Sequence, residues 1–126
     1  AAPTILVREG KPWAVIGSTG SERMTSGIFQ VLVRLRHQSP FEAVHAPRLH
    51  CTPDGLVRLE AERFSPDVLH ELTRHGFTLE TLGPYSFVVG GLQLAAWQDG
   101  VMHGVADARR DGVAIASKPA QSQFPA

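Results

Sequence analysis

The stretch Trp13-Ala14-Val15-Ile16-Gly17-Ser18-Thr19-Gly20-Ser21-Glu22-Arg23 decides the reading of this chain. Trp13 to Ile16 is an apolar run that predicts a buried strand. The small residues after it predict a loop, and an apolar helix opens beyond Ser21. A loop that hands a strand to a helix leaves backbone N–H groups unpaired at the positive end of the helix dipole. Such groups can hold a negative oxygen. Gly20 and Ser21 are therefore the candidate ligand-contacting residues. The plainer alternative is that Gly20 only permits a tight strand-to-helix turn. Thr19 and Glu22 carry capping-box spacing at the helix start.

Upstream, Thr4 to Arg8 is a β-branched run, and Glu9-Gly10-Lys11-Pro12 turns it back onto Trp13–Ile16 as a hairpin. Downstream, residues 22–37 have helical periodicity. Met24, Ile28, Val31 and Leu35 make one stripe, widened by Phe29, Leu32 and Val33. The polar stripe (Arg23, Ser26, Gln30, Arg34, His37) is narrow, so this helix is expected to be covered on two sides, by a sheet and a second helix. Ser39-Pro40 caps a short helix through Ala46, which Pro47 ends. Arg48–Cys51 and Leu56–Glu60 predict strands around a Pro53-Asp54-Gly55 turn. Ser65-Pro66 opens a third helix through His75, stopped at Gly76. Phe77–Leu82, Tyr85–Val89, Gln93–Trp97 and Val101–Ala106 predict further strands, the last two joined at Gln98-Asp99-Gly100. The fold class is α+β and layered, a mostly antiparallel sheet with flanking helices. Residues 117–126, rich in Pro, Ala, Ser and Gln, are expected to form a loose tail.

With 126 residues and 43% hydrophobic content, the chain is one domain with a real core. Twelve basic and twelve acidic residues cancel, which argues against a nucleic-acid partner. Cys51 is the only cysteine, which rules out an internal disulfide or a cysteine zinc site. His45, His50 and Cys51 follow no zinc spacing, and a strand would point His50 and Cys51 to opposite faces. His50 is expected to hydrogen-bond locally and Cys51 to be a small core residue; His70 and His75 are expected on the surface. No metal and no cofactor is expected. The strand–loop–helix lacks the lysine of a P-loop and the spacing of a dinucleotide fold. Asp107, Arg109, Arg110 and Asp111 are expected to form a surface ion-pair set, with cleft lining as the alternative. Trp13 and Trp97 are expected as core aromatics. No apolar run is long enough for a membrane span, and no export signal stands at the start. The opening Ala1-Ala2-Pro3, without methionine, leads us to expect a piece of something longer.

Five segments, taken together, resemble one family. Pro3-Thr4-Ile5-Leu6-Val7 with Glu9-Gly10-Lys11-Pro12 resembles the strand and turn that follow the substrate-binding serines of γ-glutamyltransferases. Gly17-Ser18-Thr19-Gly20-Ser21-Glu22-Arg23 is similar to their glycine loop, Gly-(Ser/Thr)-Pro-Gly-Gly-(Ser/Ala)-Arg. Glu42-Ala43-Val44-His45-Ala46-Pro47-Arg48-Leu49-His50 resembles Glu-Ala-x-(Asp/Asn)-Ala-Pro-Arg-x-His. Phe64-Ser65-Pro66-Asp67 resembles the family's helix start. Gln93 and Gly104 to Gly112 resemble its closing Gln strand and Gly-(Ala/Ser)-Asp-Pro-Arg segment.

The resemblance runs from Pro3 to Ala116 and implies part of an N-terminal nucleophile hydrolase αββα sandwich. This chain would be the C-terminal segment (residues 1–116) of the small, catalytic subunit. The parent would cut itself into two subunits and move a γ-glutamyl group from glutathione or a related amide to water or an amino-acid or peptide acceptor. Its partners would be the rest of the small subunit, the large subunit and a γ-glutamyl small molecule.

The nucleophile implied is a threonine with a free α-amino group, expected upstream of Ala1. The chain alone is thus expected to hold no catalytic residue and to supply the oxyanion donors at Gly20 and Ser21. Ser21, Thr19, His45 and Ala108 depart from the family pattern. They leave room for an acylase of the same fold acting on another amide, such as a β-lactam, or for a non-catalytic interaction domain. A parent exported to the periplasm or secreted is expected, and the isolated piece is expected to expose an apolar face and pair with itself.

Overall fold

A computed structural model describes residues 3–116. The elements run β1 (Thr4–Arg8), β2 (Lys11–Thr19), α1 (Arg23–Arg34), α2 (Pro40–His45), β3 (Leu49–Cys51), β4 (Leu56–Leu59), α3 (Pro66–Arg74), β5 (Thr78–Thr81), β6 (Gly91–Gln98) and β7 (Val101–Ala106). Short 3-10 turns lie at Ala61–Arg63 and Phe87–Val89. The predicted loose tail, residues 117–126, lies outside the described residues.

The main sheet has the order β1-β2-β6-β7 and every pair in it is antiparallel. Strand alternation gives it two unlike faces. Ala14 and Ile16 of β2, Leu92, Leu94 and Ala96 of β6, and Val105 of β7 point to one side, where Ile28 and Val31 of α1 and Ala43 and Val44 of α2 cover them. Val15 and Trp97 on the other side stay exposed, joined by Ile5 and Val7 from β1 and Met102 from β7. The second sheet is small, in the order β3-β4-β5. Its β4–β5 pair is parallel, with α3 as the crossover between the two strands.

The polar stripe of α1 faces this second sheet rather than water. Gln30 brackets Leu49, donating to its carbonyl at 2.8 Å and accepting from its amide at 3.2 Å. Arg34 Nη2 donates to Pro47 O at 2.6 Å. The helix is thus covered on two sides, as its narrow polar stripe implies, but one cover is made by hydrogen bonds. Phe29 and Val33 remain exposed.

Several expectations are corrected. Strand β2 continues through Thr19, so the loop shrinks to Gly20 and Ser21. No capping box forms there: Glu22 is the N-cap residue, and no side chain caps it. Arg23 instead folds its own guanidinium back, Nε donating to Gly20 O at 2.9 Å. The box forms at α2, where Ser39 and Glu42 bond reciprocally. Ser65 precedes α3 without a capping bond. Tyr85–Val89 is no strand, because Ser86 accepts from Val88 N and coils the segment into a 3-10 turn ending at Gly90. Trp97 is half exposed; its carbonyl accepts from Trp13 Nε1 at 2.8 Å across the hairpin edge. Cys51 is exposed on the outer side of β3 while His50 points inward.

Candidate functional site

Gly20 and Ser21 form the corner between the end of β2 and the start of α1. Gly20 has φ +125° and Ser21 φ +55°. The first is open to glycine alone at low cost, and the second is strained for serine. These two angles swing the chain through the corner and leave the carbonyls turned inward. Gly20 O accepts from Arg23 N at 3.1 Å and Ser21 O from Met24 N at 3.1 Å. Among the described residues, no turn, loop or side-chain hydrogen bond uses the amide of Gly20 or of Ser21 as donor. Both amides stand just before the first turn of a 12-residue helix, where the helix dipole is positive.

Beside the corner, on the outer side of the main sheet, a cavity of about 290 Å³ is lined by Thr19, Gly91, Gln93, Arg110 and Asp111. Arg110 and Asp111 are exposed and line this cleft. Asp107 and Arg109 do not join them, and here the surface reading is corrected: they are only 1% and 4% exposed. Arg109 Nε and Nη2 grip Glu60 at 2.7 and 2.5 Å, and its Nη1 reaches Asp107 at 3.1 Å. Asp107 also pairs with Arg48, which is fully buried. The Val44 carbonyl accepts from both guanidinium groups and the Ala46 carbonyl from Arg109, while the buried Arg48 Nε has no hydrogen-bond partner among the described residues.

Burial alone would raise the Glu60 and Asp107 carboxyls, but the neighbouring arginines hold both below their ordinary values. The same burial pushes the Arg48 guanidinium down to about 10. Sequence reasoning missed this network because its paired side chains are up to 59 residues apart. The available signal was Arg48 and Arg109 in two motifs of the resemblance.

His50 is buried beneath the first turn of α1. Its Nδ1 lies 2.9 Å from Ser26 Oγ, and its Nε2 is 3.9 Å from the Glu22 carboxylate. The local hydrogen bond expected of it is corrected: the partner is Ser26, 24 residues away on α1. His70 on α3 and His75 just after its end are exposed. Among the described residues no cluster of three or more His, Cys, Asp or Glu could hold a metal, and no helix is long and apolar enough to cross a membrane.

A helix-covered, largely antiparallel sheet with a free-amide corner at one strand end is the N-terminal nucleophile hydrolase layer. Cephalosporin acylase from Bacillus halodurans shares this fold, at TM-score 0.82 and 24% identity over 92% of this chain and 22% of that one. The gamma-glutamyltranspeptidase of Pseudomonas nitroreducens complexed with L-DON superposes at TM-score 0.80. The match is 30% identical over 93% of this chain and 62% of that chain. The glutathione hydrolase proenzyme of Escherichia coli K12 is 35% identical over 115 residues, which is 86% of this chain. The family model described as gamma-glutamyltranspeptidase matches residues 1–117. The chain belongs to the gamma-glutamyltranspeptidase family. It spans 18% of the length of the Escherichia coli relative.

Proposed function

We propose that the protein carrying this chain transfers a γ-glutamyl group from glutathione or a related amide to water or an amino-acid or peptide acceptor. In that reaction this segment contributes the oxyanion donors. Attack on the amide carbonyl builds negative charge on its oxygen, and preorganised N–H donors stabilise that charge more than they stabilise the ground state. Gly20 and Ser21 fit the part because their amides are unspent and stand at a helix N-terminus. That single observation carries the reading. The nucleophile belongs elsewhere: Ala1 has no hydroxyl, and Thr4 lies within β1 with no free amine.

The outer side of the main sheet, crossed by Ala114 at Gly104 but otherwise apolar and exposed, supports a partner reading. Ile5, Val7, Val15, Trp97 and Met102 make a sheet face too apolar to stand in water as the final surface of an enzyme. We assign its cover to the remainder of the small subunit, with the large subunit beyond it.

The test is to incubate the full-length protein with glutathione, with and without an amino-acid acceptor, and follow glutamate and γ-glutamyl product. Self-cleavage with glutamate release is the expected result. An intact, inert protein would overturn the reading in favour of an interaction domain. Hydrolysis of a side-chain-acylated β-lactam without action on glutathione would move it to an acylase.

A further inference from the structure

Behind the Gly20–Ser21 corner stands a second glycine, Gly90, with φ +80°. The two backbones touch with no side chain between them. A Cβ on Gly20 would lie 3.1 Å from Gly90 Cα, and a Cβ on Gly90 would lie 2.8 Å from Thr19 O. The second distance is shorter than real Cβ contacts allow, and its obstacle is backbone that cannot rotate away. Gly90 therefore fixes where the Thr19–Gly20 peptide can be.

The segment holding Gly90 is itself anchored at three points to the buried charges. Ser86 N donates to Glu60 Oε1 at 2.9 Å. Arg48 Nη1 donates to Gly90 O at 3.1 Å. Leu92 N donates to Asp107 Oδ2 at 2.9 Å. The ionic network thus ends in a rigid stop against the peptide preceding the candidate oxyanion donors.

We infer that Gly90 is a positioning residue for this reaction: it sets the direction of the Gly20 and Ser21 amides by backbone contact, and the Arg48–Asp107–Glu60 network holds it there. The inference rests on the oxyanion reading of the corner. Oxyanion donors act only within a few tenths of an ångström of their productive place, so a displaced peptide costs turnover while ground-state binding survives.

The experiment pairs Gly90→Ala with replacement of Ser21 by its α-hydroxy analogue, which exchanges the Ser21 N–H for an ester oxygen. Both are made in the full-length protein, with glutathione as the probe. Gly90→Ala is expected to lower kcat about 10- to 100-fold, with KM changed by less than about threefold. Combined with the ester, it should add little to the ester's own loss, because both changes act on one device. If the ester lowers kcat and Gly90→Ala does not, or if the two losses multiply, the positioning role is overturned while the oxyanion reading stands. If the ester leaves kcat unchanged, the oxyanion reading itself fails and takes this inference with it. Should Gly90→Ala not fold, Ser86→Ala removes the hydroxyl that accepts from Val88 N and loosens the same segment more gently. It is read by the same pairing, and a kcat loss that multiplies with the ester's, or no loss at all, overturns the inference.

Discussion

Arg109 and Glu60, 49 residues apart in sequence, meet as a buried two-point fork: Nε to Oε1 at 2.7 Å and Nη2 to Oε2 at 2.5 Å. Both side chains are sealed from water. The fork ties the segment after β7 to the end of β4, joining the main sheet to the small one. Removing one partner breaks the fork but leaves the other with a second ion-pair partner, Arg63 for Glu60 and Asp107 for Arg109, so the cost should be at or below about 3 kcal/mol. Glu60→Gln and Arg109→Met should each lower unfolding stability by that order in a denaturant titration. The double variant should lose less than the sum of the two. Additive losses would show that the fork is not a coupled unit.

Acid should dismantle the same network. Glu60 and Asp107 sit below their ordinary 4.5 and 3.8 in the folded protein, the arginine partners outweighing burial. A depressed carboxyl contributes stability above its unfolded value and loses it as pH falls through the folded one. Stability should therefore hold above about pH 4.5 and drop steeply below it. A Glu60→Gln, Asp107→Asn variant should be less stable at neutral pH and show a flatter acid limb. An acid limb unchanged in slope would contradict this.

His50 should add a milder slope at higher pH. Burial lowers its pKa below the ordinary 6.5, opposed by the Glu22 carboxylate and assisted by Arg23 and Arg58. The unfolded chain then takes up the proton first, so stability falls as pH drops below about 6.5. His50→Gln, which can keep a hydrogen bond to Ser26, should flatten the stability profile below about pH 6.5. An identical profile would mean His50 titrates as it does in the unfolded chain.

Ser21 carries φ +55° where glycine is at ease. Ser21→Gly should relieve about 1–2 kcal/mol of folded-state strain, offset in part by about 0.4–1 kcal/mol of added unfolded-chain entropy. The net gain in stability should lie between about 0 and about 1.6 kcal/mol. Turnover of glutathione by the full-length protein should rise, because the side chain no longer crowds the approach to the corner. A fall in kcat would assign the hydroxyl a contact with substrate.

The isolated 126-residue chain should associate with itself through the uncovered face of Ile5, Val7, Val15, Trp97 and Met102. Light scattering across a concentration series checks this, and a clean monomer at high concentration would count against it.

What could be read from the sequence was local. The β1–β2 hairpin, the Ser39–Glu42 cap and the strand pair around Gly55 are written in turn residues and in alternation between neighbours. The strand-to-helix corner was located by its glycine and by the change of period around it. Its shape was not, because the Thr19–Glu22 spacing promises a cap that the φ of Gly20 and Ser21 turns away. Asp107 and Arg109 look like surface residues until the fold brings Arg48 and Glu60 to them. Gly90 was invisible for the same reason: its meaning is a contact with Thr19 and Gly20, some 70 residues upstream. The strand expected at Tyr85–Val89 failed because Ser86 offers Val88 a nearer acceptor than any neighbouring strand.

The account stands most directly on one number, the turnover of the full-length protein when the Ser21 amide is replaced by an ester that donates nothing. Loss of one oxyanion donor predicts a kcat toward glutathione lower by about 10²- to 10³-fold, with KM nearly unchanged. A kcat equal to that of the unaltered protein would contradict the assignment of this corner.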